Sequence, residues 1–285
     1  NPESRFVELV YAGQNVAVTE TATSFENERQ KVEISLVKSI EQNERFDIGT
    51  NGEMKNITFG LFSAEEIVST SGTFIPADGL IEIVSLNEDG TATIKTDLPY
   101  GRYYVQEIAT DSHYKLSDAK YPIIFEYVGQ DTAVVKIAVN DGKAIKNDLI
   151  YGSVSGKKVD EDGNALGGAM IGLFRTDDGE FTKENALMTT TSAEDGSFSF
   201  KNIPCGTWYV REIEQPAGFV LDDTIYPVTI NADCQVVEIE IVNKYVRGNI
   251  HLTKVDSEYP DNKLTGAVFE VYKDSNNNSK LDEGD

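Results

Sequence analysis

Cysteine and histidine are nearly absent from this chain. Its 285 residues hold two of each, Cys205 with Cys234 and His113 with His251. No metal-type spacing links them. A zinc site built on them has no material, and a Ser-His-Asp triad has almost none. Two unpaired thiols and one disulfide in the second half both remain open for the cysteines. Basic residues are also scarce: 25 Lys and Arg stand against 48 Asp and Glu, for a net charge of −23. Phosphate binding needs clustered positive charge, which argues against a nucleic-acid partner. The acidic balance suits a solvated, self-repelling surface. No Gly-rich phosphate loop appears. Apolar runs such as YPIIFEYV and LIEIV are too short to insert in a membrane. No signal peptide or sorting signal is found, but the chain starts and stops mid-pattern, so that says little about location.

What the chain does have is internal repetition, the signature of tandem units. GSVSGKKVD (152–160) matches GNIHLTKVD (248–256) and, more loosely, VEISLVKSI (32–40). Each is followed by a turn and an apolar segment: ITFGLF (57–62), GAMIGLF (168–174), GAVFEVY (266–272). EDGTATI (88–94) and EDGSFSF (194–200) come next, then YYVQEI (103–108) and WYVREI (208–213), each behind a Pro-x-Gly turn. Units close on a segment ending in asparagine: TSFEN (23–27), KAIKN (143–147), IEIVN (239–243). The next opening lysine follows each closing asparagine by 11 residues, Asn27 to Lys38, Asn147 to Lys158 and Asn243 to Lys254. Residues 29–149 and 150–246 read as complete repeats, 1–28 as the closing strands of a preceding one, and 247–285 as the opening of a truncated following one. The chain thus reads as a piece of a longer array. Short alternating segments with Gly- and Asp-rich turns predict an all-β sandwich for each unit. A hydrophobic content of 40% is enough for packed cores. SAEEI (63–67) is the one candidate helical turn. The first repeat is the longer, and its extra residues are expected in loops around 41–55 and 65–87.

Strand parity then places polar residues on apolar faces. Tyr103, Val105 and Glu107 share a face, as do Trp208, Val210 and Glu212. Lys38 lies with Ile34 and Leu36, Lys158 with Val154 and Gly156, and Lys254 with Ile250 and Leu252. Asn27, Asn147 and Asn243 follow Phe25, Ile145 and Ile241 on theirs, while Glu238 and Glu240 face out. Isolated buried charge is expensive. One explanation is a Lys–Glu ion pair with an Asn hydrogen bond, which barely compensates for lost solvation. The other is chemistry. Burial lowers a lysine pKa and raises a glutamate pKa. A neutral amine beside a protonated acid is a nucleophile beside a proton shuttle. Attack on the asparagine amide releases ammonia and leaves a Lys–Asn amide.

The opening KVD, the GAxF turn, the G-x-[WY]-Y-V-x-E strand and the terminal VNK resemble the Cna-B (SpaA-like) repeats of Gram-positive surface adhesins and pilins. WYVREIEQPAGFVL matches the family's Glu-box in its Glu, Pro and Gly spacing; YYVQEIATDSHYKL departs from it in lacking the Pro-x-Gly. The resemblance implies tandem Cna-B-type β-sandwiches, immunoglobulin-like or prealbumin-like, in a rod. It implies an intramolecular isopeptide bond in each complete repeat: Lys38 with Asn147, catalysed by Glu107, and Lys158 with Asn243, catalysed by Glu212. Asn27 and Lys254 are then half-pairs. No YPK-type pilin linkage motif is present, and KYP (120–122) and IYP (225–227) read as equivalent strand starts.

DSNNNSKLDEGD (274–285) has the oxygen spacing of a calcium loop, with Asp274, Asn276 and Asn278 at positions 1, 3 and 5, the Lys280 carbonyl, and Asp285 closing it. Ser279 replaces the usual Gly, and a polar hairpin is the competing reading. No cofactor is required by the crosslink chemistry. The expectation is a stalk region of a secreted, cell-wall-attached surface protein, with neighbouring repeats as partners and single-turnover self-crosslinking in place of enzyme turnover. An adhesive module for a host matrix protein or carbohydrate is the alternative.

Overall fold

The computed structural model describes residues 7–8, 14, 29–68, 74–274 and 280–281. They build two β-sandwiches within one compact unit, which ends at Lys244; residues from Tyr245 on form a second unit. The first sandwich contains β1 (Lys31–Ile40), β2 (Thr58–Ser63), β3 (Ile67–Val68), β4 (Phe74–Ile75), β5 (Leu80–Ser85), β6 (Thr91–Ile94), β7 (Gly101–Ala109), β8 (Lys120–Phe125), β9 (Val134–Ala138) and β10 (Ile145–Asn147). The second contains β11 (Tyr151–Asp160), β12 (Met170–Phe174), β13 (Met188–Thr191), β14 (Ser197–Pro204), β15 (Gly206–Glu214), β16 (Phe219–Val220), β17 (Tyr226–Ile230) and β18 (Val236–Tyr245).

The two sandwiches share one plan. One sheet carries the opening strand beside the closing strand: β1 pairs with β6, β9 and β10, and the second sheet of this kind runs β14-β11-β18-β16. The facing sheets run β5-β2-β7-β8 and β13-β12-β15-β17. Period-two patterning explains the packing. In β1, Val32, Ile34, Leu36 and Lys38 turn inward while Glu33, Ser35 and Val37 do not. In β18 Glu238 and Glu240 are exposed and Ile241 and Asn243 buried, as parity predicts. KYP and IYP do open equivalent strands, β8 and β17.

Opening and closing strands are parallel neighbours. Ser153–Asp160 pairs continuously with Val236–Asn243. In the first sandwich the closing strand is broken. β9 pairs with Lys31–Ser35 and β10 with Lys38–Ile40. Between them Asn140 and Asp141 adopt left-handed backbone, at φ 54° and 55°, a conformation Asn and Asp tolerate better than most residues.

The extra length of the first repeat is more ordered than loops. SAEEI forms no helical turn: Ser63 ends β2, Ile67 opens β3, and the Ala64 N–H donates to Arg102 O (2.9 Å) across the sheet. Within residues 65–87, β3 pairs antiparallel with β4, and β5 follows. Residues 41–56 hold two 3-10 turns, Glu44–Phe46 and Glu53–Asn56, and they seal the junction with the second sandwich. Phe46, Ile48, Tyr114 and Leu149 join the second hydrophobic core. Phe46 meets Trp208 edge-on, centroids 4.7 Å apart, and Arg175 Nη1 donates to Phe46 O at 2.9 Å. Glu41 accepts from Leu149 N (3.0 Å) and from Tyr151 Oη (2.9 Å).

The segment after β18 departs from the repeat pattern. Among the described residues no strand follows Tyr245; the chain makes only a Val255–Lys263 bridge. Ile250, Leu252 and Val268 are exposed. The reason is partnership: β1 and β11 owe their order to the closing and EDG strands of their own repeats, and an isolated hairpin is marginal in water. Residues 1–28, read as closing strands, lie almost wholly outside the described residues. Cys205 is buried, Cys234 exposed, and they form no disulfide.

Trp208 is the chain's one tryptophan, so the junction carries its own reporter. Phe46→Ala should cost about 3–5 kcal/mol and shift Trp208 emission to the red. Unchanged emission and melting would mean that the 41–56 segment does not seal the second core.

Candidate functional site: two buried Lys–Glu–Asn clusters

Lys38, Glu107 and Asn147 meet inside the first sandwich, and Lys158, Glu212 and Asn243 inside the second. All six are between 0% and 3% exposed. The strands place them alike. Lys38 lies opposite Ile145 and Ile40 opposite Asn147; Lys158 lies opposite Ile241 and Asp160 opposite Asn243. Each lysine therefore reaches along its sheet toward an asparagine two pairs further on. The glutamate arrives from the facing sheet, on β7 or β15.

In the second cluster Lys158 Nζ is hydrogen-bonded to Asn243 Oδ1 and to Ile241 O at 3.3 Å. It lies 3.7 Å from Glu212 Oε1. Asn243 Nδ2 donates to that same Oε1 (2.9 Å), and Asp222 N donates to Oε2 (2.8 Å). In the first cluster Lys38 Nζ lies 3.8 Å from Glu107 Oε1 and donates to Ile145 O (3.2 Å) and Ser39 O (3.3 Å). Asn147 Nδ2 donates to Glu107 Oε1 (2.7 Å) and Thr110 Oγ1 (3.0 Å). Ser117 N donates to Glu107 Oε2 (3.1 Å).

Burial sets the proton states. Desolvation pulls the Lys38 amine down to about 8, against the opposing pull of Glu107 and Asp148. Lys158 is lowered for the same reason, and Glu212 is raised by burial despite its hydrogen bonds. Both lysine shifts favour the neutral, nucleophilic amine.

Three supports carried no functional signal in the sequence. A β-bulge follows each glutamate: Phe59 pairs with Glu107 but Thr58 with Ala109, and Ile171 pairs with Glu212 but Met170 with Glu214. Bulges re-aim side chains, and this one recurs at the same place twice. The second oxygen of each glutamate is held by a backbone N–H ten residues on, Ser117 or Asp222. The EDG glycines also act on the lysines. Lys38 N donates to Gly90 O (2.8 Å) and Lys158 N to Gly196 O (2.7 Å). Both glycines have positive φ, and a Cβ on either would sit 2.3–2.4 Å from that lysine's carbonyl oxygen.

Not every expected site residue joins a cluster. Lys254 is exposed and outside any strand. Asn27 lies outside the described residues, as do Asn276, Asn278 and Asp285 of the calcium-type loop. Asp274 and Lys280 are described, both beyond β18.

A family model for the SpaA prealbumin-like fold domain matches residues 39–143 and again 152–245. The chain belongs to this family. The first SpaA match begins just after Lys38 and stops short of Asn147; the second includes Lys158, Glu212 and Asn243. The Bacillus anthracis TIE protein has a similar solved structure, at TM-score 0.52 and 19% identity, over 76% of this chain and 34% of that one. The chain thus spans about a third of that structure. A C-terminal fragment of the pilus adhesin SpaC from Lactobacillus rhamnosus GG matches at TM-score 0.46 and 12% identity, over 76% and 99% of the two chains. GBS52, the minor pilin of Streptococcus agalactiae, matches at TM-score 0.33 and 15% identity, over 79% and 100%. No curated protein sequence matches. No helix among the described residues is long and apolar enough to cross a membrane.

The lysine shift makes a stability prediction for a chain without Asn147. In Asn147→Ala, Lys38 carries its proton in both folded and unfolded states below about pH 8. Between about 8 and the ordinary lysine value of 10.5 only the unfolded state holds it, so stability rises with pH across that window. The gain is roughly 3 kcal/mol. Chemical denaturation of Asn147→Ala against Asn147→Ala/Lys38→Met should show that slope only when Lys38 is present; parallel pH profiles would show that the amine is not desolvated.

Proposed function

We propose that the chain is a structural stalk segment of a cell-wall-attached Gram-positive surface protein, strengthened by two self-formed Lys–Asn isopeptide bonds. The observation that carries this reading is the pair of buried clusters, each bringing an amine, an amide and one bridging carboxyl into contact across two sheets. A structural pair alone needs no amide at that place. A reacting set needs all three: the amine attacks Cγ, the carboxyl relays a proton, and ammonia leaves. SpaA family membership agrees with a surface pilin or adhesin role, and the extracellular, wall-attached location follows from that role.

The bonds would sit where load enters. The opening and closing strands are parallel neighbours, so tension on the two ends of a sandwich shears one strand along the other. A bond from Lys158 to Asn243 carries that tension past everything between them, and a bond from Lys38 to Asn147 does the same. Neither reaction is repeated, because each consumes its own lysine and asparagine.

Mass measurement tests the reading. The folded chain should weigh less than its sequence by two molecules of ammonia. Glu107→Ala and Glu212→Ala should each restore one, and each unlinked sandwich should lose about 4–5 kcal/mol by the loop-closure model used for disulfides. An unshifted mass for the folded wild-type chain would refute the crosslinks, and an unaltered deficit in either variant would refute the glutamate's role.

A further inference from the structure

The two clusters differ at one point. In the second, Asn243 Oδ1 meets the lysine amine. In the first, Asn147 Oδ1 is buried with no hydrogen-bond partner, while Nδ2 faces two oxygens, Glu107 Oε1 and Thr110 Oγ1. A buried acceptor left without a partner is destabilising. Half a turn about the Cβ–Cγ bond exchanges the two ends of the amide in the same space. The amide oxygen then faces the threonine hydroxyl, which can donate to it, and the carboxyl, which donates only when it holds the proton shared with the amine. Thr110 stands just past the end of β7, three residues after Glu107, so the bulge that aims the glutamate also delivers this hydroxyl. The second repeat has Gln215 at the matching position.

From this geometry we infer that Thr110 is a further catalytic residue of the first cluster, donating its hydroxyl hydrogen to the Asn147 amide oxygen as Lys38 attacks. The inference rests on the crosslink reading above. One proton is shared by the amine and the carboxyl; on Glu107 it leaves Lys38 neutral. The Lys38 nitrogen lone pair forms the new bond to Asn147 Cγ, and the carbonyl π pair moves onto Oδ1. Charge there is met by the Thr110 hydroxyl and the Glu107 acid. On collapse the Cγ–Nδ2 bond breaks. The departing nitrogen takes one proton that came from the lysine amine by way of Glu107 and leaves as ammonia. Atoms balance without any other reactant: an amine and a primary amide give a secondary amide and ammonia. Stabilisation of a developing oxyanion by a placed donor is among the largest catalytic effects available to such a site.

The test is a time course of crosslinking in the full chain. Pulsed cell-free translation is quenched in acid at intervals, and the Lys38–Asn147 and Lys158–Asn243 linked peptides are counted by mass spectrometry. The second cluster serves as the internal clock for folding. Thr110→Val should slow the first crosslink at least about tenfold and leave the second unchanged, and Thr110→Ser should restore the first. A Thr110→Val first crosslink that keeps pace with wild type overturns the assignment. So does a slowing matched by misfolding, read as greater protease sensitivity of Lys38→Ala/Thr110→Val than of Lys38→Ala. A wild-type chain that never forms the first crosslink refutes the crosslink reading itself, which is a distinct result.

Discussion

An amine taken out of water must find partners, and each sandwich is arranged around that need. Removing an ionised group from water costs several kcal/mol even after the protein relaxes. Lys158 and Glu212 are both shielded from solvent, and their Nζ–Oε1 separation of 3.7 Å is too long for a strong charge-assisted hydrogen bond. A pair at that distance is a weak return on two desolvated groups. The amide between them changes the balance, because it hydrogen-bonds the carboxyl with its nitrogen and, in the second cluster, the amine with its oxygen. In the proposed reaction Lys158 and Asn243 become one neutral amide, ammonia leaves, and the proton once shared with the amine stays on the carboxyl, which keeps its backbone donor. Condensation thus removes the strain that burial creates, which gives the reaction a direction that exposed residues of the same kinds would lack.

This constraint explains the least ordinary pieces of backbone. The glutamate must come from the opposite sheet and still reach a lysine on the first, and a bulge follows it in both sandwiches. The lysine must not slide along its strand. A one-residue slip would turn it to solvent, and Gly90 or Gly196 fixes its backbone by lying so close to its carbonyl that no side chain fits. The closing strand tolerates more variation. It is continuous in the second sandwich and broken by two left-handed residues in the first, yet both asparagines stand in the same register to their lysines. What is repeated is the position of three side chains, and the loops and strand lengths around them vary.

Much of this was legible in the sequence, for a physical reason. Strand parity is binary, so a lysine two residues after an inward leucine must also point inward, and β1 and β18 keep that pattern without a break. Glu107, Glu212 and both described asparagines follow from the same parity. The bulges do not, because a bulge adds one residue without a sequence mark of its own. Nor do Thr110, Ser117 or Asp222: their contributions come from a hydroxyl or a backbone N–H whose direction only the folded chain sets. The 41–56 segment read as surplus loop because its two buried hydrophobic residues, Phe46 and Ile48, have no strand period around them and belong to the next sandwich's core. Residues 247–273 carry the same motifs as β1 and β11 and form no strands. Pattern specifies a strand only where neighbours exist to complete the sheet.

The constant spacing between closing asparagine and next opening lysine takes on meaning in this light. In the proposed linked form, tension leaving the first sandwich at Asn147 enters the second through the chain to Lys158, so residues 148–157 are the only load-bearing backbone between one bond and the next. Within that stretch the Leu149 N–H donates to Glu41, Tyr151 Oη donates to the other Glu41 oxygen, and Ile150 bonds His113 of the first sandwich and Cys205 of the second. From Ser153 onward the chain is already paired in β11. A longer connection would add unpaired residues that extend under force. A shorter one would pull the lysine out of register with the asparagine of its own sandwich. The junction is therefore as constrained as the clusters it joins, and the 41–56 segment, by covering it with Phe46 against Trp208, protects the stretch of backbone between the two proposed crosslinks, which neither of them bridges.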